Sequence, residues 1–230
     1  MKKTIAILAL AASSFASADA MNPTYPNPLT LPSESNITAL TASVLLNVST
    51  LQSWTMVGAP AVKHHLINFV DEGGNRIGIQ TNYTSENDKI KVSGLWGMAN
   101  EGGAYGFGID DMQSKLTGVA AAVLTLSYSY DTGTTALLTV VYSNGLIADY
   151  GGTWNTGLRY QGIEFDRIDF GTGSYMGKYV AEDTAWTVDQ MKEYARSADG
   201  WAIGLRAPEP TTATLSLLAL AGLAARRRRK

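Results

Sequence analysis

The stretch VLTLSYSYDTGTTALLTVVYSNG, Val123 to Gly145, decides the fold. Leu124, Leu126, Tyr128 and Tyr130 alternate with Val123, Thr125, Ser127 and Ser129, and after Asp131-Thr132-Gly133 the same period resumes in Ala136, Leu138, Val140 and Tyr142. Successive side chains of an extended chain point to opposite faces, so this period gives each strand one apolar face built for burial. Asp131-Thr132-Gly133 supplies one turn and Ser143-Asn144-Gly145 supplies the next, so the ribbon reverses twice as a meander. Such a ribbon is not stable alone, which predicts a second sheet packed against it.

Working outward, Ala39 to Asn47, His65 to Val70, Arg76 to Thr81 and Ile90 to Gly94 read as strands, separated by turns rich in Gly, Asn and Asp. Leu95 to Asp111, LWGMANEGGAYGFGIDD, crowds glycines around Trp96, Tyr105 and Phe107. Glycine at that density suits turns, bulges and close backbone approach, and predicts a surface loop near a binding face. Neither a G-x-G-x-x-G nor a Walker spacing occurs there, which argues against nucleotide binding. Downstream, Leu146 to Trp154 and Gly162 to Gly171 continue the strand pattern. One helix is expected, with Thr187 as N-cap, Gln190 completing a capping box, Trp186 and Met191 as a hydrophobic staple, and Val188, Met191 and Ala195 as its inner stripe. The expected class is all-β, an antiparallel β-sandwich with one short helix near the end.

The 230 residues, 45% of them hydrophobic, suffice for one sizeable core, and the absence of cysteine excludes disulfides and thiolate chemistry. Charge is segregated. Residues 21–210 hold 11 basic and 19 acidic groups, a net −8, while Lys2, Lys3 and the Arg226 to Lys230 cluster occupy the ends. An acidic working domain lacks the basic footprint of a nucleic-acid partner.

Residues 1–20 have a basic start, an apolar run from Ile5 to Ala12, and the small-x-small sites Ala16-Ser17-Ala18 and Ala18-Asp19-Ala20, the organisation of a secretory signal peptide. Residues 21–35 carry Pro23, Pro26, Pro28 and Pro32 and read as an extended lead-in. At the other end, Pro208-Glu209-Pro210 precedes an apolar run to Ala225 and a terminal basic cluster. An apolar helix of about 15 residues rises only about 22 Å, short of a hydrocarbon core of about 30 Å, so it suits transient membrane contact better than permanent anchoring.

That order of tripeptide, apolar run and terminal arginines resembles the PEP-CTERM sorting tail of Gram-negative exported proteins over residues 208–230. The resemblance implies an exosortase-type sorting enzyme as partner, with delivery to the cell surface or the exopolysaccharide matrix. Within residues 36–207, Tyr128-Ser129-Tyr130-Asp131 leading to Tyr142-Ser143-Asn144-Gly145, with the late Trp186-Thr187-Val188-Asp189-Gln190-Met191, is similar to the hairpin and closing helix of LamG and concanavalin A-like jelly rolls. That resemblance implies a jelly-roll domain with a glycan-binding surface on its curved sheet or edge loops.

Glu164-Phe165-Asp166-Arg167-Ile168-Asp169 resembles the E-x-D-x-x-E motif of laminarinase-like glycoside hydrolases, with Asp169 one methylene shorter than the last Glu of that pattern. Carboxyl separation sets the course of glycoside hydrolysis, so the shortening bears on the chemistry. On a regular strand Glu164 and Asp166 share one face and Asp169 the other, so the three converge only through a bulge. His64 and His65, the only histidines, are expected to face opposite ways, without cysteine to complete a zinc set. Asp71, Glu72 and Asn75, with Asp110-Asp111, offer oxygen ligands of the kind calcium takes, but without EF-hand spacing. No metal site and no cofactor are assigned.

Trp96, Tyr105, Tyr150 and Trp154 are the candidate glycan-stacking residues, because an aromatic ring joins an apolar face to a polar edge; Tyr160 belongs to the same class. The expected function is therefore that of an exported, non-catalytic, surface- or matrix-associated domain that binds an extracellular glycan or acts as an adhesive. A laminarinase-like hydrolase acting through Glu164, Asp166 and Asp169 and a purely structural matrix protein are the alternatives.

Overall fold

The computed structural model describes residues 26–31, 39–56, 59, 62–86, 89–99, 103–109, 111–154, 165–171 and 175–197. In chain order these form β1 (Leu29–Thr30), β2 (Ala39–Leu46), α1 (Val48–Thr55), β3 (His65–Asp71), β4 (Arg76–Glu86), β5 (Lys89–Ala99) and β6 (Gly103–Ile109). There follow α2 (Met112–Leu116), β7 (Val119–Ser129), β8 (Gly133–Tyr142), β9 (Ile147–Trp154), β10 (Phe165–Phe170), β11 (Tyr175–Glu182) and α3 (Val188–Arg196). The strands build two antiparallel sheets, one in the order β1-β10-β3-β4-β5-β6 and the other in the order β11-β2-β7-β8-β9. The fold is an all-β sandwich.

The alternating stretch forms the middle of the five-stranded sheet. Leu124 pairs with Leu138 and with Val44, and Leu126 with Ala136 and with Ala42, so each inward row continues across three strands. These side chains are buried in one cluster with Ile67, Phe69, Ile77, Ile79, Phe165 and Ile168 of the six-stranded sheet. Aromatic rings join the two sheets, with Tyr128 edge-on to Phe165 at 5.2 Å and Phe165 tilted against Phe69 at 5.7 Å. Tyr130, expected in the buried row, is 37% exposed because β7 ends at Ser129 and the turn carries the chain out.

Alternation predicts one buried face per strand, yet the opposite face of β2 and β7 is buried as well. Thr41, Ser43, Thr125 and Ser127 are at most 3% exposed, and their hydroxyls pair across the strands, Thr41 with Ser127 and Ser43 with Thr125, at 2.8 Å each. The Trp186 backbone N–H donates to the Thr41 and Ser127 hydroxyls, which ties the approach to α3 onto this face. Ala195 packs with Leu45 and Val123, and Arg196 pairs with Asp149, whose other oxygen accepts from Thr139. The small hydroxyl residues satisfy one another in pairs, so their burial leaves no orphaned donor.

The Thr187–Gln190 capping box forms as expected, and Met191 and Ala195 are buried. Val188 is 38% exposed instead of inward-facing, since the helix meets the sheet through its later turns. The expectation of one helix is corrected by α1 and α2. Asn47 caps α1 by accepting from Thr50 N–H, and Asp111 caps α2 from a left-handed backbone conformation, while Leu51, Met112 and Leu116 reach the core. Helices of two turns or fewer are too short to display a 3.6-residue period.

The glycine-rich Leu95 to Asp111 stretch is also corrected, from a surface loop to the facing ends of β5 and β6. Leu95 pairs with Ile109, Trp96 with Gly108, Met98 with Ala104 and Ala99 with Gly103, and Leu95 and Ile109 are buried. Cross-strand pairing overrides the local preference of glycine. Within the lead-in, Asn27 acts as a surrogate strand residue, donating from Nδ2 to Phe170 O and accepting from Phe170 N–H through Oδ1. Leu31 N–H donates to Asp166 O, so the edge of β10 is covered along its length. Residues 1–20, read as a signal peptide, and residues 208–230, which resemble a sorting tail, lie outside the described residues; among those described, no helix is long and apolar enough to cross a membrane.

Candidate functional site

With α3 across the outer face of one sheet, the polar residues of the other sheet's outer face define the candidate site. Phe165, Ile168 and Phe170 of β10 are buried in the core. The register with β3 slips between Phe165, opposite Asp71, and Arg167, opposite Val70, so Asp166 is the extra residue of a β-bulge. The bulge brings Asp166, Arg167 and Asp169 together on the outer side. Arg167 lies between the carboxylates, Nη1 at 3.3 Å from Asp166 and Nε at 3.3 Å from Asp169. Their side chains are 35–42% exposed, so these pairs orient the groups more than they stabilise the fold. Glu164, the first residue of the motif, lies outside the described residues.

The ladder carries this face across the sheet. Asp169 pairs with Asn68, Asn68 with Gly78 and Gly78 with Met98; beside them, Arg167 pairs with Val70 and Val70 with Arg76. On the other side His65 pairs with Gln80 and Gln80 with Trp96. Asn68 is 4% and Gln80 8% exposed, and the Asn68 Oδ1 has no hydrogen-bond partner. A Cβ at Gly78 would come 2.2 Å from that oxygen and 2.5 Å from Ile67 O, so only glycine leaves Asn68 its place over β4.

His65 Nε2 is 3.4 Å from Arg76 Nη1. Burial lowers the His65 pKa, and Arg76 lowers it further against the opposing pull of Asp169, which favours a neutral ring near pH 7. His64 stacks on Trp54 of α1 with ring centroids 3.8 Å apart and 8° between planes, its pKa lowered by burial. Its backbone N–H donates to Thr81 Oγ1, which makes it part of the seam between α1 and β4.

The four candidate aromatic residues divide between the sheets. Trp96 on β5 and Tyr105 on β6 belong to the six-stranded sheet, and Tyr150 and Trp154 belong to β9. The side chains of Trp96, Tyr105 and Trp154 lie outside the description, and so does Tyr160. Tyr150 packs against the core, with its hydroxyl 2.9 Å from that of Tyr142 and Lys115 Nζ 5.5 Å from its ring centre.

Tyr142 donates to Lys115 O, and burial, then the bond and proximity to Tyr150, push its pKa up to about 12. The unfolded chain releases this proton near pH 10 while the folded one keeps it, so the stability held below pH 10 falls as the pH rises towards 12. Tyr142→Phe is expected to flatten that alkaline loss, measured as the urea midpoint from pH 9 to 12; an unchanged slope would show the pair to be energetically silent.

Asp71 closes its own turn, accepting from Asn75 N–H through Oδ1 and from Asn75 Nδ2 through Oδ2, at 2.7 Å each, and Asp111 caps α2. Among the described residues, no three His, Asp or Glu side chains are grouped to hold a metal ion. Asn68, Gly78 and Arg76 were not singled out by sequence reasoning; the one signal was Asn68, the lone polar residue in the apolar run Leu66 to Val70. The chain matches no protein-family model and no curated protein.

Proposed function

We propose that this chain is an exported, surface- or matrix-associated domain that binds glycans without cleaving them, through the outer face of its six-stranded sheet. The observation that carries the reading is the contrast between the two outer faces. One is tied to α3, and the other gathers Asp166, Arg167, Asp169, Asn68, Arg76 and Gln80 around an unpaired amide oxygen. Planar polar side chains that converge on one surface suit the hydroxyl groups of a sugar. A concanavalin A-like jelly roll is the proposed topology, supported by β11 beside β2 and β10 beside β3, which sets late strands against early ones in both sheets. The signal peptide and the PEP-CTERM-like tail at Pro208, Glu209 and Pro210 support export, contact with an exosortase-type enzyme and surface delivery.

The bulge at Asp166 favours the hydrolase as second reading, because it puts two motif carboxylates on one side. Against it, Arg167 engages both, whereas a glycosidase needs one carboxyl placed to give its proton to the glycosidic oxygen. A glycan array probed with the exported protein, with and without calcium, tests the reading. Binding that is lost in Trp96→Ala is expected; a blank array favours the structural matrix role, and β-glucan hydrolysis abolished by Glu164→Gln favours the enzyme.

A further inference from the structure

We propose that Asn68, set between Asp169 and Gly78, is the centre of a subsite for an uncharged, hydroxyl-rich sugar unit, and that this face takes neutral glycans and rejects polyuronates. The inference rests on the glycan-binding reading above and assigns its chemistry. Asn68 is 4% exposed and its amide oxygen is buried and unpartnered, which is costly to keep because the lost hydration is not replaced. A hydroxyl donor supplies the missing bond, and a sugar hydroxyl can donate to Asn68 Oδ1 while it accepts from another group.

The surroundings set the class. Asp169 is next to Asn68 in the ladder on one side and Gly78 on the other, and the Asn68 amide lies in the space that a Cβ at Gly78 would fill, which sets its oxygen over β4. Two carboxylates, Asp166 and Asp169, balance two guanidinium groups, Arg167 and Arg76, and the neighbouring His65 has its pKa lowered by burial. Among the described residues the face is electrically balanced, with no local surplus of positive charge, and residues 21–210 carry a net −8, so a polyanion meets repulsion.

The test is affinity electrophoresis of the full chain through gels containing laminarin, dextran, galactomannan or alginate, with free glucose and mannose as competitors. Retardation by at least one of the three neutral polymers and none by alginate is expected. Asn68→Leu, close to Asn in shape, should weaken the retardation at least tenfold while its Tm rises by roughly 2–4 °C, because a buried polar atom without a partner is removed. Asn68→Ala provides a second variant with the same expected loss. Competition by the monosaccharides would support a subsite for one sugar unit, and its absence with polymer binding intact would overturn that subsite. Retardation by alginate alone overturns the neutral class. Unchanged retardation in both variants, or a fall in Tm with binding retained, overturns the assignment of Asn68 and leaves glycan binding standing. No retardation by any polymer overturns the glycan-binding reading itself.

Discussion

Leu126→Asp is expected to abolish cooperative folding. Leu126 is fully buried, sits in register with Ala42 and Ala136, and belongs to the cluster shared by both sheets. The substitution removes packing worth about 2–5 kcal/mol on the scale of large-to-small core changes. It also places a carboxylate where only apolar groups surround it, at an effective cost of several kcal/mol more. A domain of this kind has about 5–15 kcal/mol of stability in total, so the two terms together consume most or all of it. Calorimetry and near-ultraviolet circular dichroism should show no cooperative transition; a melt within a few degrees of the parent would contradict the pairing of β2, β7 and β8.

Phe165→Ala is the second large effect, with an expected loss of about 3–5 kcal/mol. The ring is 3% exposed and stands between Tyr128 of one sheet and Phe69 of its own sheet, so its removal opens a cavity where the sheets meet. For a domain of this size that loss corresponds to a fall in Tm of about 6–20 °C. Because Phe165 flanks the bulge residue Asp166, the same change should weaken the proposed neutral-glycan retention at temperatures where the variant is still folded. Thermal denaturation and affinity electrophoresis at low temperature check the two parts separately. A loss below about 1 kcal/mol would mean that the rings are not packed as described, since such a small cost belongs to surface sites.

The alternation in Val123 to Tyr142 was sufficient to locate β7, β8 and the turn between them, because a period of two leaves one arrangement that buries Leu124, Leu126, Leu138 and Val140 together. The same reasoning placed Thr187 and Gln190, whose bonds are local and spell themselves out within four residues. It failed at Leu95 to Asp111, where glycines that read as loop are held in β5 and β6 by pairing with each other and with β4. It failed at α1 and α2, whose stability comes from Leu51, Met112 and Leu116 entering a core assembled by distant strands.

For the candidate site, the motif residues Asp166 and Asp169 were legible as acids at a suggestive spacing, and the need for a bulge was legible with them. Whether the backbone slips there depends on how β10 registers with β3, a strand about 100 residues earlier in the chain. Gly78 and Arg76 gave no comparable signal, since each is ordinary in its own segment, and Asn68 stood out only as the lone polar residue of the run Leu66 to Val70. By itself the sequence determined the all-β class, the central hairpin, the capped last helix and the acidic balance, because these follow from periodicity, local hydrogen bonds and charge. Only the tertiary structure decided which outer face α3 covers, and that Asp169, Asn68 and Gly78 stand side by side, because cross-strand neighbours are set by register between segments far apart in the chain.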